Sequence, residues 1–169
     1  MTAHRDVLLA LSGDPRLRDG WVHVEEIPPR EPSFGEVDPP FPAPVRDFLD
    51  SRGIRLYTHQ CEAVRAFRGG ENFVITTPTS SGKTLAFALP VFEKILSDPR
   101  STFLFVYPAK ALTRDQHRSI RALEEGLRTG AVSAVYDGDT PASARGKIRQ
   151  ESRIILTNPY ELHHVLPWH

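Results

Sequence analysis

The sequence predicts an α/β fold built on a parallel sheet with helices on both faces, and two observations carry that prediction. Four short apolar runs, Phe73 to Thr76, Thr102 to Tyr107, Val132 to Tyr136 and Arg153 to Thr157, are of the kind buried on both faces, with helical patterns between them. The first run leads through a loop of small residues, TPTSSGKT (residues 77–84), directly into a helical pattern. Strand, tight loop and helix in that order are the setting in which such a loop can hold a phosphate.

The elements follow from local patterns. A short N-terminal helix and a proline-rich, acidic arm are expected over residues 1–44, with the main domain over 45–169. The arm, IPPREPSFGEVDPPFPAP from Ile27 to Pro44, is poor in backbone donors and favours extended structure lying on the main domain. PVRDFLDSRG places Val45, Phe48 and Leu49 on one helical face and stops at Gly53. THQCEAVRAFRGG repeats the design with Cys61, Val64 and Phe67. The helix after the loop buries Leu85, Ala88, Leu89, Phe92, Ile95 and Leu96, with Pro90 inside it as an expected kink. The next buries Leu112, Ile120, Leu123 and Leu127 and stops near Gly130. Two further helix starts are marked by Thr140 before Pro141, and by Asn158 with Pro159 and Glu161 as a capping box. No internal repeat is present.

Composition narrows the classes. With 169 residues, 40% of them hydrophobic, the chain can bury one substantial core. The lone Cys61 cannot make an intrachain disulfide, and no Cys/His spacing suggests zinc, which favours a reducing, cytoplasmic setting. No run approaches the length of a membrane span, and the N-terminus does not read as a signal peptide. The net charge is zero, yet its distribution is uneven: Glu25 to Asp50 is acidic, whereas Lys110 to Arg121 and Arg145 to Arg153 are basic. Local basic stripes suffice for a polyanionic partner.

The loop carries the strongest chemistry. Unpaired N–H groups and the positive end of the helix dipole suit a polyphosphate. Thr79, Ser80, Ser81 and Gly82 would wrap it, Lys83 would hold the β/γ-phosphates of ATP, and the Thr84 hydroxyl would coordinate Mg²⁺. Upstream, GIRLYTHQ resembles the adenine-reading element of the superfamily 2 helicases, which implies Tyr57 and Gln60 as base contacts; the Gln60 amide can both donate and accept. Downstream, three segments fall at expected C-terminal strand ends, the edge where open α/β sheets bind ligands.

These motifs, in this order, resemble the superfamily 2 helicases of the DEAD/DEAH-box type, whose first RecA-like domain is a P-loop NTPase fold; on that resemblance the domain is incomplete at its C-terminus. The resemblance assigns YPAKALTRDQ, with Pro108, Lys110 and Arg114, to a nucleic-acid backbone, Gln116 steadying the loop. It assigns DGDTP (Gly138, Asp139, Thr140) and TNPYELH (Thr157, Asn158, Pro159) likewise, and makes Lys83 the catalytic residue and the L-P at Pro90 a family feature. The stretches WVHVEEIPPRE, VYDGDTP and VLPWH are similar to the MrfA-like repair helicases, over about Trp21 to His169. It further implies ATP, Mg²⁺ and single-stranded or forked DNA rather than RNA as ligands, for a monomer; Phe41 or a neighbour is a candidate support for the adenine.

The carboxylate pair that fires such a motor is expected after residue 169, so this chain should bind ATP and nucleic acid weakly and hydrolyse little. Two other readings stay open: a phosphotransferase with Asp137 as Mg²⁺ ligand, and a nucleotide-gated nucleic-acid-binding module without catalysis.

Overall fold

A computed structural model describes residues 2–17, 20, 25, 28, 31–78 and 81–165. Trp21 with most of WVHVEEIPPRE, Thr79, Ser80 and the last four residues lie outside the described set. Residues 1–32 and 33–169 form two compact units. In the first, α1 (Thr2–Ser12) is closed by the Gly13 N–H on the Leu9 carbonyl at 3.0 Å.

The second unit runs α2 (Ala43–Ser51), α3 (Thr58–Arg68), α4 (Lys83–Ser97), β1 (Phe103–Val106), α5 (Lys110–Leu127), β2 (Ser133–Val135), α6 (Ala142–Glu151), β3 (Ile154–Thr157) and α7 (Pro159–Val165). The three strands are parallel in the order β1-β3-β2, with Phe103 opposite Ile154 and Ile154 opposite Ser133. Their C-terminal ends therefore share one edge. On one face Ile154 and Leu156 join Phe92, Leu89, Ile120, Val45 and Val64 in a core covered by α2 to α5. Full burial of side chains this large contributes about 1.5–3 kcal/mol each, so helix-on-sheet packing rather than the short ladders holds the unit. The other face is sparsely covered: Leu104 and Val106 are exposed, and Leu162 and Val165 of α7 help bound a cavity of about 160 Å³ against Leu104 and Ile155.

The helical expectations largely stand. Val45, Phe48 and Leu49 are buried, α3 ends at Gly69, and α4 runs uninterrupted through a buried Pro90. Three details differ. Phe73 to Thr76 forms no strand: Val74 is 86% exposed, and the segment lines a cavity of about 310 Å³ together with His59, Glu62, Ala63 and Ala66 of α3. Apolar, β-branched composition favours a strand only when a neighbouring strand supplies the ladder, and none among the described residues pairs with it. Leu112 is exposed, and Thr113 takes the inward place, its hydroxyl donating to the Ala109 carbonyl at 3.0 Å. Thr113 lies seven residues, or two helical turns, before Ile120 on the same stripe, which Leu112 misses by one position. Finally, α6 starts at Ala142 with Pro141 as N-cap, and Thr140 makes no cap bond. Its hydroxyl instead accepts the Asp137 N–H at 2.9 Å, because the chain turns tightly there.

A close approach between two helices predicts a stability effect. Gly126 of α5 lies under the Phe48 ring of α2, and a Cβ there would sit 2.7 Å from Phe48 Cδ2 and closer still to Cε2. Gly126→Ala gains helix propensity worth about 1 kcal/mol, but overpacking a buried ring costs about 1–3 kcal/mol. The expected net result is a lower urea midpoint; a raised midpoint would show that α2 and α5 can separate without loss.

Candidate nucleotide and nucleic-acid site

The phosphate loop is built between two glutamines. Gly82, at φ +74°, is the N-cap of α4 and turns the chain from the loop into the helix. Its carbonyl accepts the Leu85 N–H at 3.1 Å and the Gln60 Nε2 amide at 2.8 Å. The Gln60 side chain also accepts the Tyr57 N–H at 2.8 Å, which makes it the returning half of the α3 capping box. Gln60 is only 2% exposed, so it first ties the start of α3 to the loop; one amide hydrogen and one lone pair remain.

The Lys83 ammonium turns back into the loop, donating to the carbonyls of Thr77 at 2.7 Å and Pro78 at 2.5 Å. The Thr77 and Ser81 hydroxyls share a hydrogen bond of 2.6 Å across the same loop. Thr84 donates its hydroxyl proton to Gln116 Oε1 at 3.0 Å, joining α4 to α5. That bond leaves the Thr84 oxygen lone pairs for a hard cation, so the donor set fits Mg²⁺. The Lys83 and Thr84 amides at the start of α4 have no carbonyl one turn earlier in the helix to bond and fit a phosphate.

Beside Gln60, the Tyr57 ring stacks with Phe34, centroids 5.3 Å apart, and with His59, centroids 5.8 Å apart. Arg55 lies over the other aromatic of this set, 4.1 Å from the Phe34 centroid. Phe34 is held there by a bridge to Tyr57 and by the Thr58 N–H on the Ser33 carbonyl at 2.9 Å. Sequence reasoning looked to Phe41, which instead is buried in the core beneath Arg68.

The three strand-end segments come together at one edge. Pro108, Lys110 and Arg114 follow β1, Gly138, Asp139 and Thr140 follow β2, and Thr157, Asn158 and Pro159 end β3. Lys110 Nζ pairs with Asp139 Oδ1 at 2.8 Å, and Arg114 pairs with Asp139 Oδ2 at 2.6 Å. The Lys110 ammonium beside it holds the Asp139 carboxyl below the usual carboxylate range, and Asp139 in turn raises Lys110. Thr157 and Asn158 are buried: the Thr157 hydroxyl donates to the Tyr136 carbonyl at 2.6 Å, and Asn158 Oδ1 accepts the Glu161 N–H at 3.0 Å. The capping box predicted at Asn158 is thus half made. Glu161 turns its carboxylate to Arg145 at 2.7 Å, the stronger partner, and thereby raises the arginine's pKa. Arg145 also donates to the carbonyls of Thr140 and Asp137, each at 3.1 Å, bracing the turn after β2. Burial pushes the Tyr107 phenol up to about 12 and keeps it neutral at the end of β1.

Comparison with known proteins agrees with this geometry. Residues 57–169 match the DEAD/DEAH box helicase family. The uncharacterized ATP-dependent helicase YprA of Bacillus subtilis is 37% identical over 96% of this chain and 22% of its own length. The ATP-dependent helicase HRQ1 of Saccharomyces cerevisiae is 42% identical over 68% of this chain and 11% of its own. The crystal structure of the DUF1998 helicase MrfA bound to DNA and AMPPNP superposes with a TM-score of 0.83 at 34% identity, over 96% of this chain and 22% of that one. Mycobacterium smegmatis helicase Lhr bound to ssDNA and AMP-PNP follows at a TM-score of 0.61 and 28% identity, over 70% and 17%. The chain thus spans about a fifth or less of the length of these relatives. With the family match running from Tyr57 to the last residue and the fold of its RecA-like domains, this chain belongs to the DEAD/DEAH box helicases.

Proposed function

We propose that residues 45–169 are the ATP-binding part of an ATP-dependent helicase that acts on DNA in repair, with residues 1–44 as an accessory arm. The observation that carries this reading is the joint between two ligand regions. Thr84 of the phosphate loop bonds Gln116, and Gln116 lies on α5, the helix that presents Lys110 and Arg114 at the strand-end edge. A nucleotide drawn onto Lys83 and Thr84 thereby acts on the helix that meets the nucleic acid. Support for the ligands comes from relatives: MrfA is seen with DNA and AMPPNP, and Lhr with ssDNA and AMP-PNP. In this reading ATP takes Lys83 at its β/γ-phosphates, Mg²⁺ takes the Thr84 oxygen, and the adenine meets Tyr57 and Gln60. ATP bound there supplies the energy of phosphate cleavage for movement. Ser81, Gly82 and the flanking Thr79 and Ser80 wrap the phosphates. The substrate is single-stranded or forked DNA, and the protein works as a cytoplasmic monomer.

The reading with Asp137 as a magnesium ligand is disfavoured. Asp137 is 2% exposed, its Oδ1 accepts the Asp139 N–H at 2.9 Å, and Arg114 stands 3.7 Å from its other oxygen. A cation there would meet a guanidinium.

Titration of the chain with a fluorescent ATP analogue, with and without MgCl₂, tests the proposal together with anisotropy of a labelled single-stranded oligonucleotide. Saturable, Mg²⁺-enhanced binding displaced by ATP is expected. DNA affinity should fall with salt, log K dropping by about 0.7 per phosphate contacted for each decade of salt. Absence of ATP displacement would remove the nucleotide assignment, and equal binding of an RNA strand would remove the preference for DNA.

A further inference from the structure

Lys110 and Arg114 stand one turn apart on α5, and one carboxylate spans both. Asp139 gives Oδ1 to Lys110 at 2.8 Å and Oδ2 to Arg114 at 2.6 Å. Two oxygens of one anion, each on its own cation, is the arrangement a phosphate diester makes with its two non-bridging oxygens. We propose that Asp139 is a built-in competitor for this phosphate seat, a specificity-determining residue that a nucleic-acid strand must displace; the proposal rests on the reading of this edge as the backbone-binding surface.

Three features make the exchange possible. All three side chains are about half exposed, at 46%, 54% and 55%, so a released Asp139 carboxylate enters water and leaves no buried charge behind. The Asp139 main chain is pinned by its N–H on Asp137 Oδ1 at 2.9 Å, and the turn is braced by the Thr140 N–H on the Asp137 carbonyl at 3.0 Å. A side-chain rotation is therefore enough. Behind the pair, Asp137 Oδ2 is buried with no hydrogen-bond partner among the described residues and lies 3.7 Å from Arg114. A buried acceptor left unmade is costly, so this oxygen draws Arg114 and keeps it aimed along the edge when Asp139 leaves.

The consequence is discrimination. A carboxylate tethered beside the seat acts at an effective concentration of about the millimolar range or higher, so free phosphate competes poorly. A strand brings several linked phosphates to the same edge and displaces it. Asp139 lowers the affinity of both by the same factor at this seat, but a strand offsets the loss with its other linked contacts, whereas an isolated anion has none.

The test uses the whole chain, a fluorescein-labelled oligodeoxythymidylate and anisotropy over a range of NaCl. Asp139→Asn is expected to bind about tenfold tighter at low salt. Its salt dependence should be steeper than that of the wild type, whose internal pair weakens as salt rises, so the two should converge at high salt. Inorganic phosphate should displace the oligonucleotide from Asp139→Asn at lower concentration than from the wild type. Asp115→Asn removes a neighbouring exposed carboxylate that pairs with Arg118 instead, and should give a much smaller gain. An equal gain there would reduce the effect to net charge and overturn the proposal. So would a gain that survives Lys110→Gln and Arg114→Gln in the Asp139→Asn background. If Asp139→Asn binds like the wild type while Lys110→Gln weakens binding, the edge keeps its role and the competitor is lost. If Lys110→Gln and Arg114→Gln change nothing, the backbone-binding reading fails with it. Circular dichroism of each variant, with Asp139→Ser as a second replacement, separates altered binding from altered folding.

Discussion

Gly82→Ala is expected to lower both the urea midpoint of the chain and its affinity for nucleotide. At φ +74° an alanine is held in the left-handed region, which costs about 1–2 kcal/mol. Its Cβ would also lie 2.5 Å from Gln60 Nε2. Elsewhere the end of a flexible side chain would swing aside. Gln60 cannot do so without loss, because its amide is buried and bonded at both ends, to the Tyr57 N–H and to the Gly82 carbonyl. Breaking those bonds leaves buried polar groups unmatched at about 1–3 kcal/mol, so the two costs together reach about 2–5 kcal/mol. The pair Gly82→Ala with Gln60→Ala separates them. If the clash matters, the double variant is more stable than the sum of the single effects predicts; strict additivity would leave backbone strain as the whole cause.

Lys83→Ala should weaken ATP binding by one to two decades, the loss of a charge-assisted hydrogen bond worth about 1.5–3 kcal/mol. The ammonium already sits inside the loop on the Thr77 and Pro78 carbonyls, so a phosphate meets it without a long rearrangement of the side chain. A nucleotide series identifies the phosphate it serves. The ratio of wild-type to variant affinity should be greatest for ATP, smaller for ADP and near one for AMP. A ratio for AMP as large as that for ATP would mean that Lys83 only supports the loop. Lys83→Arg keeps the charge but carries a planar fork in place of a point charge, and should recover only part of the ATP affinity.

Much of this architecture was legible because it depends on residues close together in the chain. Helical spacing around Val45, Val64, Phe92 and Ile120, glycine stops and the TPTSSGKT loop are local patterns, and the helices form where those patterns predict. The shared strand-end edge was legible too, since β1, β2 and β3 are parallel and the segments following them must emerge on one side.

The residue types alone thus pointed to an α/β domain, to a candidate phosphate loop and to Lys110 and Arg114 after a strand end. Partnership was decided only by the folded chain. Phe73 to Thr76 has strand composition yet finds no ladder among the described residues, and Glu161 leaves its helix start for Arg145. Gln60 meets Gly82 across 22 positions, and Lys110 meets Asp139 across 29. A side chain's donors, acceptors and charge are properties of its own atoms, whereas what satisfies them depends on which distant segment the chain brings back. For that reason the donors and charges could be read along the sequence, while the Gln60 bond to Gly82 and the pairing of Asp139 with Lys110 and Arg114 required three dimensions.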